Sequence, residues 1–122
     1  MMNPSSSTSR TFFSAYIPPS IQLIIKAGAF EALCRHLEER SREVSNIDMM
    51  AVTGFCRNCL AKWLVLGARR LSTKLAIEER DFKDNKNQLD AFGYDEAAAY
   101  IYGCGYAEWK KQYQTNATEA QL

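Results

Sequence analysis

Asn46–Trp63, NIDMMAVTGFCRNCLAKW, is the stretch whose reading decides the fold. It opens with Asn46 and Asp48, whose short side-chain oxygens can accept the orphan N–H groups of a first helical turn. From there Met49, Val52, Cys56, Cys59, Trp63 and Leu66 recur at steps of three and four. That is the period of an α-helical face. Phe55, Leu60 and Leu64 widen the stripe, so the spacing predicts a central helix from Asp48 to about Arg70 with more than one neighbour. Gly54 marks a close contact or a local bend within it.

Working outward, Ser20 after Pro19 is positioned to cap a preceding helix. Its apolar face is Leu23, Ala27, Phe30, Cys34 and Leu37, and a polar run closes it near Glu43. Downstream, the charged stretch from Arg69 leaves room for a short helix over Leu71–Glu79, then a loop over Asp81–Asn87. Gly93 interrupts the chain, Asp95 opens the helix former EAAAYIY, and Gly103 stops it. Cys104–Gly105 reads as a turn, and Tyr106–Gln114 as a last amphipathic helix with Trp109 and Tyr113 on one face. No segment alternates with period two long enough for a strand. The expectation is an all-α fold, a compact multihelical domain of four or five helices over residues 21–115. Its expected core includes Trp63, Phe55, Leu60, Phe30, Leu33 and Leu37.

The first twenty residues are rich in Ser and Thr and hold no Asp or Glu. They read as a disordered tail ended by Pro18–Pro19, with an organelle targeting segment as the alternative. Residues 116–122 read as a C-terminal tail. With 122 residues, 47% apolar and 24% charged, the chain is long enough for one domain core. A net charge of +1 gives no field favouring nucleic acid. No stretch approaches the roughly 20 apolar residues of a membrane span. The expected setting is the cytoplasm, or a mitochondrion or plastid if the N-terminus is a transit peptide.

Two constellations carry chemistry. Cys56-x-x-Cys59 puts two sulfurs on one helix face, about two turns inside the expected helix. The expected role is structural, with both thiols facing inward. One alternative is a zinc or other divalent-metal site, for which Cys34, His36, Asp48 and Cys104 are the attractive further ligands, His36 and Asp48 first. Another is a redox dithiol. Arg57, Asn58, Lys62, Tyr106 and Trp109 are the candidates for polar or aromatic recognition, with Arg57 and Asn58 expected to point outward. No nucleophile has a motif-supported base and no phosphate loop is present, so no catalytic residue and no cofactor are expected. Tyr94, Tyr100, Tyr102, Tyr106 and Trp109 crowd the C-terminal third. Such density often anchors interfaces, which suggests a non-enzymatic assembly module pairing with itself or with another protein.

GFCRNCLAKW, followed by DEAAAYIYG and YAEWKKQYQ, resembles the DUF1244 (SMc04008-like) family of short, mainly bacterial proteins, from about Ala29 onward. The resemblance implies a compact all-α fold and supplies no catalytic residue. Against that pattern, residues 70–88 look like a charged insertion. Cys104 stands where the family usually has Met, which lowers its value as a metal ligand.

Overall fold

The structure is a computed structural model. It describes residues 13–78 and 85–113, with the side chains of residues 75–78 excepted. The described segments are helical, and no strand occurs among them. In chain order the helices are α1 (Pro19–Glu39), α2 (Asn46–Thr53), α3 (Arg57–Glu78), α4 (Lys86–Ala91), α5 (Tyr94–Tyr102) and α6 (Tyr106–Tyr113). Five of these have seven residues or more, matching the all-α expectation. The chain divides into two compact units, 1–37 and 38–122. Among the described residues no helix is long and apolar enough to cross a membrane. The expected tails lie outside the described residues up to 12 and from 114, as does the 79–84 part of the expected loop and insertion.

In the first unit, the Pro18 carbonyl accepts from Ile21 N and Gln22 N at 2.9 Å each, so Pro18 rather than Ser20 holds the cap position ahead of α1. Pro19 sits in the first helical position, where its missing N–H costs nothing. The Gln22 side chain donates back to the Ile17 carbonyl at 2.7 Å. Ile21, Leu23, Ile24 and Ile25 are exposed, Leu23 and Ile24 to 67% each. Cys34 is buried further along, but Phe30 and Leu33 are only half-buried.

The second unit is organised by α3, which packs chiefly on α5 and then on α4, while α5 packs on α6. Its core is Leu60, Ala61, Ala97, Ala98, Ile101, Tyr102 and Trp109. Small residues on both α3 and α5 let those two helix axes approach closely. The short α4 escaped the sequence reading because it lies in a charged stretch with little apolar period. Tertiary bonds hold it: Arg69 Nη1 donates to the Leu89 carbonyl at 2.7 Å, and Ser72 Oγ to Asp90 Oδ1 at 2.5 Å. The separate helix expected over Leu71–Glu79 is instead the continuation of α3.

The largest departure concerns the central helix. It is two helices, not one. Gly54 adopts the left-handed conformation at φ 81° and closes α2, its N–H bonding the Met50 carbonyl at 3.1 Å. The Cys56 carbonyl then accepts from Leu60 N at 3.2 Å and starts α3. Ser45, not Asn46 or Asp48, caps α2, its hydroxyl accepting from Asp48 N at 3.0 Å. Breaking the ladder resets the helical rotation. Val52 and Trp63, expected on the buried stripe, are 85% and 51% exposed, while Leu60 stays in the core. A Cβ on Gly54 meets nothing within 4 Å, so the need for glycine is conformational, not a close contact. Gly54→Ala is therefore expected to cost about 1–2 kcal/mol. Gly67, in α3 and also in open space, provides the matched control. Gly67→Ala is expected to stabilise by about 0.5–1 kcal/mol. Urea unfolding of both variants checks the contrast, and equal effects would contradict this account of Gly54.

A buried arginine network and the Cys-x-x-Cys turn

The conformational break delivers the first residue of α3, Arg57, into the interior at 0% exposure. Its Nη1 donates to the Val44 carbonyl at 2.7 Å and to Asn46 Oδ1 at 3.2 Å. The Arg57 backbone N–H donates to the same Asn46 oxygen at 3.3 Å. The guanidinium lies over the Trp109 ring, 4.9 Å from its centroid. Burial pushes the guanidinium below its ordinary pKa, yet arginine remains protonated in proteins. The charge is therefore carried in the core by a carbonyl, an amide oxygen and a ring face.

Asn46 links three elements. Its Nδ2 donates to the Tyr102 hydroxyl at 3.0 Å. Tyr102 donates onward to Asn58 Oδ1 at 2.5 Å, and Tyr94 donates to that same oxygen at 2.6 Å. Trp109 Nε1 donates to Ser41 Oγ at 3.1 Å, and Ser41 Oγ to the Glu38 carbonyl at 2.8 Å. Ring contacts continue from Tyr102 to Trp109 at 4.8 Å and from Trp109 to Tyr113 at 5.5 Å. Starts of α2 and α3, both ends of α5 and the middle of α6 are thus tied to one polar spine. A buried polar network of this kind is stable when its members are satisfied.

The chemistry of the spine is that of a scaffold. Burial is the main cause raising both the Tyr102 and the Tyr94 hydroxyl above the ordinary tyrosine value. Neither is poised to move a proton near neutral pH. The sign of the stability effect follows. The neutral phenol is favoured in the folded state, so its contribution is whole below the ordinary value near 10 and declines as pH rises above it. Unfolding free energy is expected to fall between about pH 10 and 11, with a shallower slope in Tyr102→Phe. Guanidinium titrations at stepped alkaline pH test this. An unchanged slope in the variant would remove Tyr102 as the cause.

The sequence-predicted residues divide sharply. Arg57 and Trp109, expected at a recognition surface, are buried at 0% and 1% exposure. Asn58 and Tyr106 are half-buried and Lys62 is exposed. Cys56 is buried but Cys59 is only half-buried. The pair does not sit two turns inside a helix: Cys56 precedes α3 and Cys59 lies in its first turn, its N–H bonding the Cys56 carbonyl at 3.0 Å. Among the described residues no group of three or more His, Cys, Asp or Glu that could hold a metal ion is found. His36 is an exposed residue of α1 and Asp48 an exposed residue in the first turn of α2. Asn46, Ser41 and the linking role of Tyr102 were missed. In the sequence Asn46 reads as a helix cap, and no local pattern signals a partner 56 positions away. An open cleft of about 570 Å³ lies elsewhere, lined by Ala68, Leu71, Asn85, Gln88, Leu89 and Phe92.

These features define a small all-α protein built around a buried arginine–asparagine–tyrosine spine. The family model described as a protein of unknown function (DUF1244) matches residues 44–84 and 80–122, and the chain belongs to that family. The two matched segments meet inside the charged stretch read as an insertion. Asn46, Arg57 and Asn58 fall in the first segment, and Tyr94, Tyr102 and Trp109 in the second. No curated protein matches the chain.

Proposed function

We propose that the protein is a non-enzymatic helical assembly module that pairs with a second copy of itself through α1. The observation that supports this reading is the exposure of Ile21, Leu23, Ile24 and Ile25 in the first half of that helix. Helices in proteins are held mainly by packing of an apolar face. A fully buried Leu or Ile contributes about 1.5–3 kcal/mol relative to exposure. Four aliphatics at 44–67% exposure leave much of that unrealised. Ile21, Ile24, Ile25 and Gly28 recur at the three–four spacing that lets identical helices interlock. Lys26 is the one charged residue from Pro19 to Phe30, so a two-fold pairing meets little repulsion. Gly28 faces open space and allows close approach. Of the C-terminal aromatics, Tyr102 and Trp109 are buried, Tyr94 and Tyr106 are half-buried and Tyr100 is 49% exposed. The same proposal places the protein in the cytoplasm first, with a mitochondrion or plastid as the alternative; in such a reducing compartment its four cysteines stay thiols.

Light scattering at tens of micromolar is expected to give twice the monomer mass. Ile24→Glu, at an exposed position, is expected to give a folded monomer by circular dichroism and light scattering. A monomeric wild type would sink the proposal, and a dimer persisting in Ile24→Glu would sink its assignment to α1.

A further inference from the structure

Cys56 and Cys59 occupy a geometry that packing alone does not require. Cys56 holds the N-cap position of α3, its carbonyl accepting from both Cys59 N and Leu60 N at 3.0 and 3.2 Å. Cap side chains fold over the N–H of the second or third helical residue, and the third here is Cys59. An N-cap is also free of helical dihedrals, so the two sulfurs can close to bonding distance without unwinding α3. Exposure is unequal: Cys56 is 7% exposed, whereas Cys59 is open in part to solvent. Cys59 lies in the first turn of a 22-residue helix, beside the cap residue that carries the second sulfur.

We infer that Cys56 and Cys59 form a reversible dithiol–disulfide site that reacts with small-molecule disulfides of the glutathione class. Cys59 is the attacking sulfur, because it is the one an oxidant can reach. Its thiolate displaces one thiol from the small disulfide and forms a mixed disulfide. The buried Cys56 then loses its proton and attacks the Cys59 sulfur, releasing the second small thiol. The S–S bond of the oxidant is broken and one forms in the protein. Two electrons pass from the cysteine pair to the small disulfide, which leaves as two thiols.

The test uses the full chain equilibrated in buffers of oxidised and reduced glutathione, quenched with acid and alkylated. Trypsin cuts after Arg57, between the two cysteines, so the disulfide is read as peptides Glu43–Arg57 and Asn58–Lys62 joined together. Reversible appearance of that joined pair, with helical content kept, is the expected result. Cys59→Ser is expected to slow oxidation at least tenfold. Cys56→Ser, which places a favoured capping residue at the N-cap, is expected to accumulate glutathione on Cys59. The inference is overturned if wild-type protein stops at the mixed disulfide, if the new bond runs to Cys34 or Cys104, or if the joined peptides form only when helicity is lost. The joined peptides are a property of the wild-type chain, so the test stands whether or not either variant folds.

Discussion

Arg57→Ala is expected to lower the unfolding free energy by about 3–5 kcal/mol, the range found when one member of a buried charge arrangement is removed. A domain of this size has roughly 5–15 kcal/mol in all, so the variant should unfold at much lower urea or fail to accumulate. The loss has three sources. The Val44 carbonyl loses its side-chain donor at 2.7 Å, and Asn46 Oδ1 loses one of two donors, keeping the backbone N–H of residue 57 at 3.3 Å; a buried acceptor left unmet costs about 1–3 kcal/mol. Trp109 loses the cation over its ring. A cavity also opens where a fully buried side chain stood. Two further variants separate these terms. Arg57→Met keeps most of the volume but removes the donor of the Val44 carbonyl and leaves Asn46 Oδ1 with the backbone N–H alone, so it should recover only part of the loss. Arg57→Lys keeps the charge but has no planar fork to serve the carbonyl and the amide while stacking on the ring. It should remain about 1.5–3 kcal/mol below wild type. Urea titration followed by tryptophan emission measures all three. Stability within 1 kcal/mol of wild type in Arg57→Ala would show that the spine is not what holds the second unit together.

Trp109→Ala is expected to cost about 3–5 kcal/mol. Trp109 is 1% exposed, and its ring meets Tyr102 at 4.8 Å, Tyr113 at 5.5 Å and the Arg57 guanidinium at 4.9 Å. Its N–H also anchors Ser41 at 3.1 Å. Trp109→Phe retains an aromatic floor but loses that bond and some volume, for about 1–2 kcal/mol. Trp63 is the internal comparison. It is 51% exposed and touches Phe55 at 5.7 Å between ring centroids. Trp63→Ala should cost about 1 kcal/mol, the order of one aromatic pair. Equal losses from the two tryptophans would contradict the division of buried and exposed faces described here.

That division marks where sequence reading succeeded and where it stopped. Local chemistry was legible because its causes lie within a few residues. The three–four spacing, the absence of alternating segments and the glycine after Tyr102 predicted an all-α chain, and α5 ends where Gly103 adopts φ 76°. Leu60 and Leu37 were correctly assigned to the interior. Periodicity alone carries no information on whether a glycine within a helical pattern continues the ladder or turns left-handed. At Gly54 it turns, and that one dihedral rotated the following helix. Trp63 came out to solvent, Arg57 went in, and the Cys-x-x-Cys pair moved to a helix start. Tertiary structure alone decided the spine. A buried arginine is tolerable only where distant groups meet its charge, and here Asn46, Tyr102 and Trp109 come from three different helices. Their separation along the chain, 56 residues for Asn46 and Tyr102, is beyond the reach of any local pattern. The residue types were all visible in order. Which of them share an interior was settled by the long-range packing of α3 on α5.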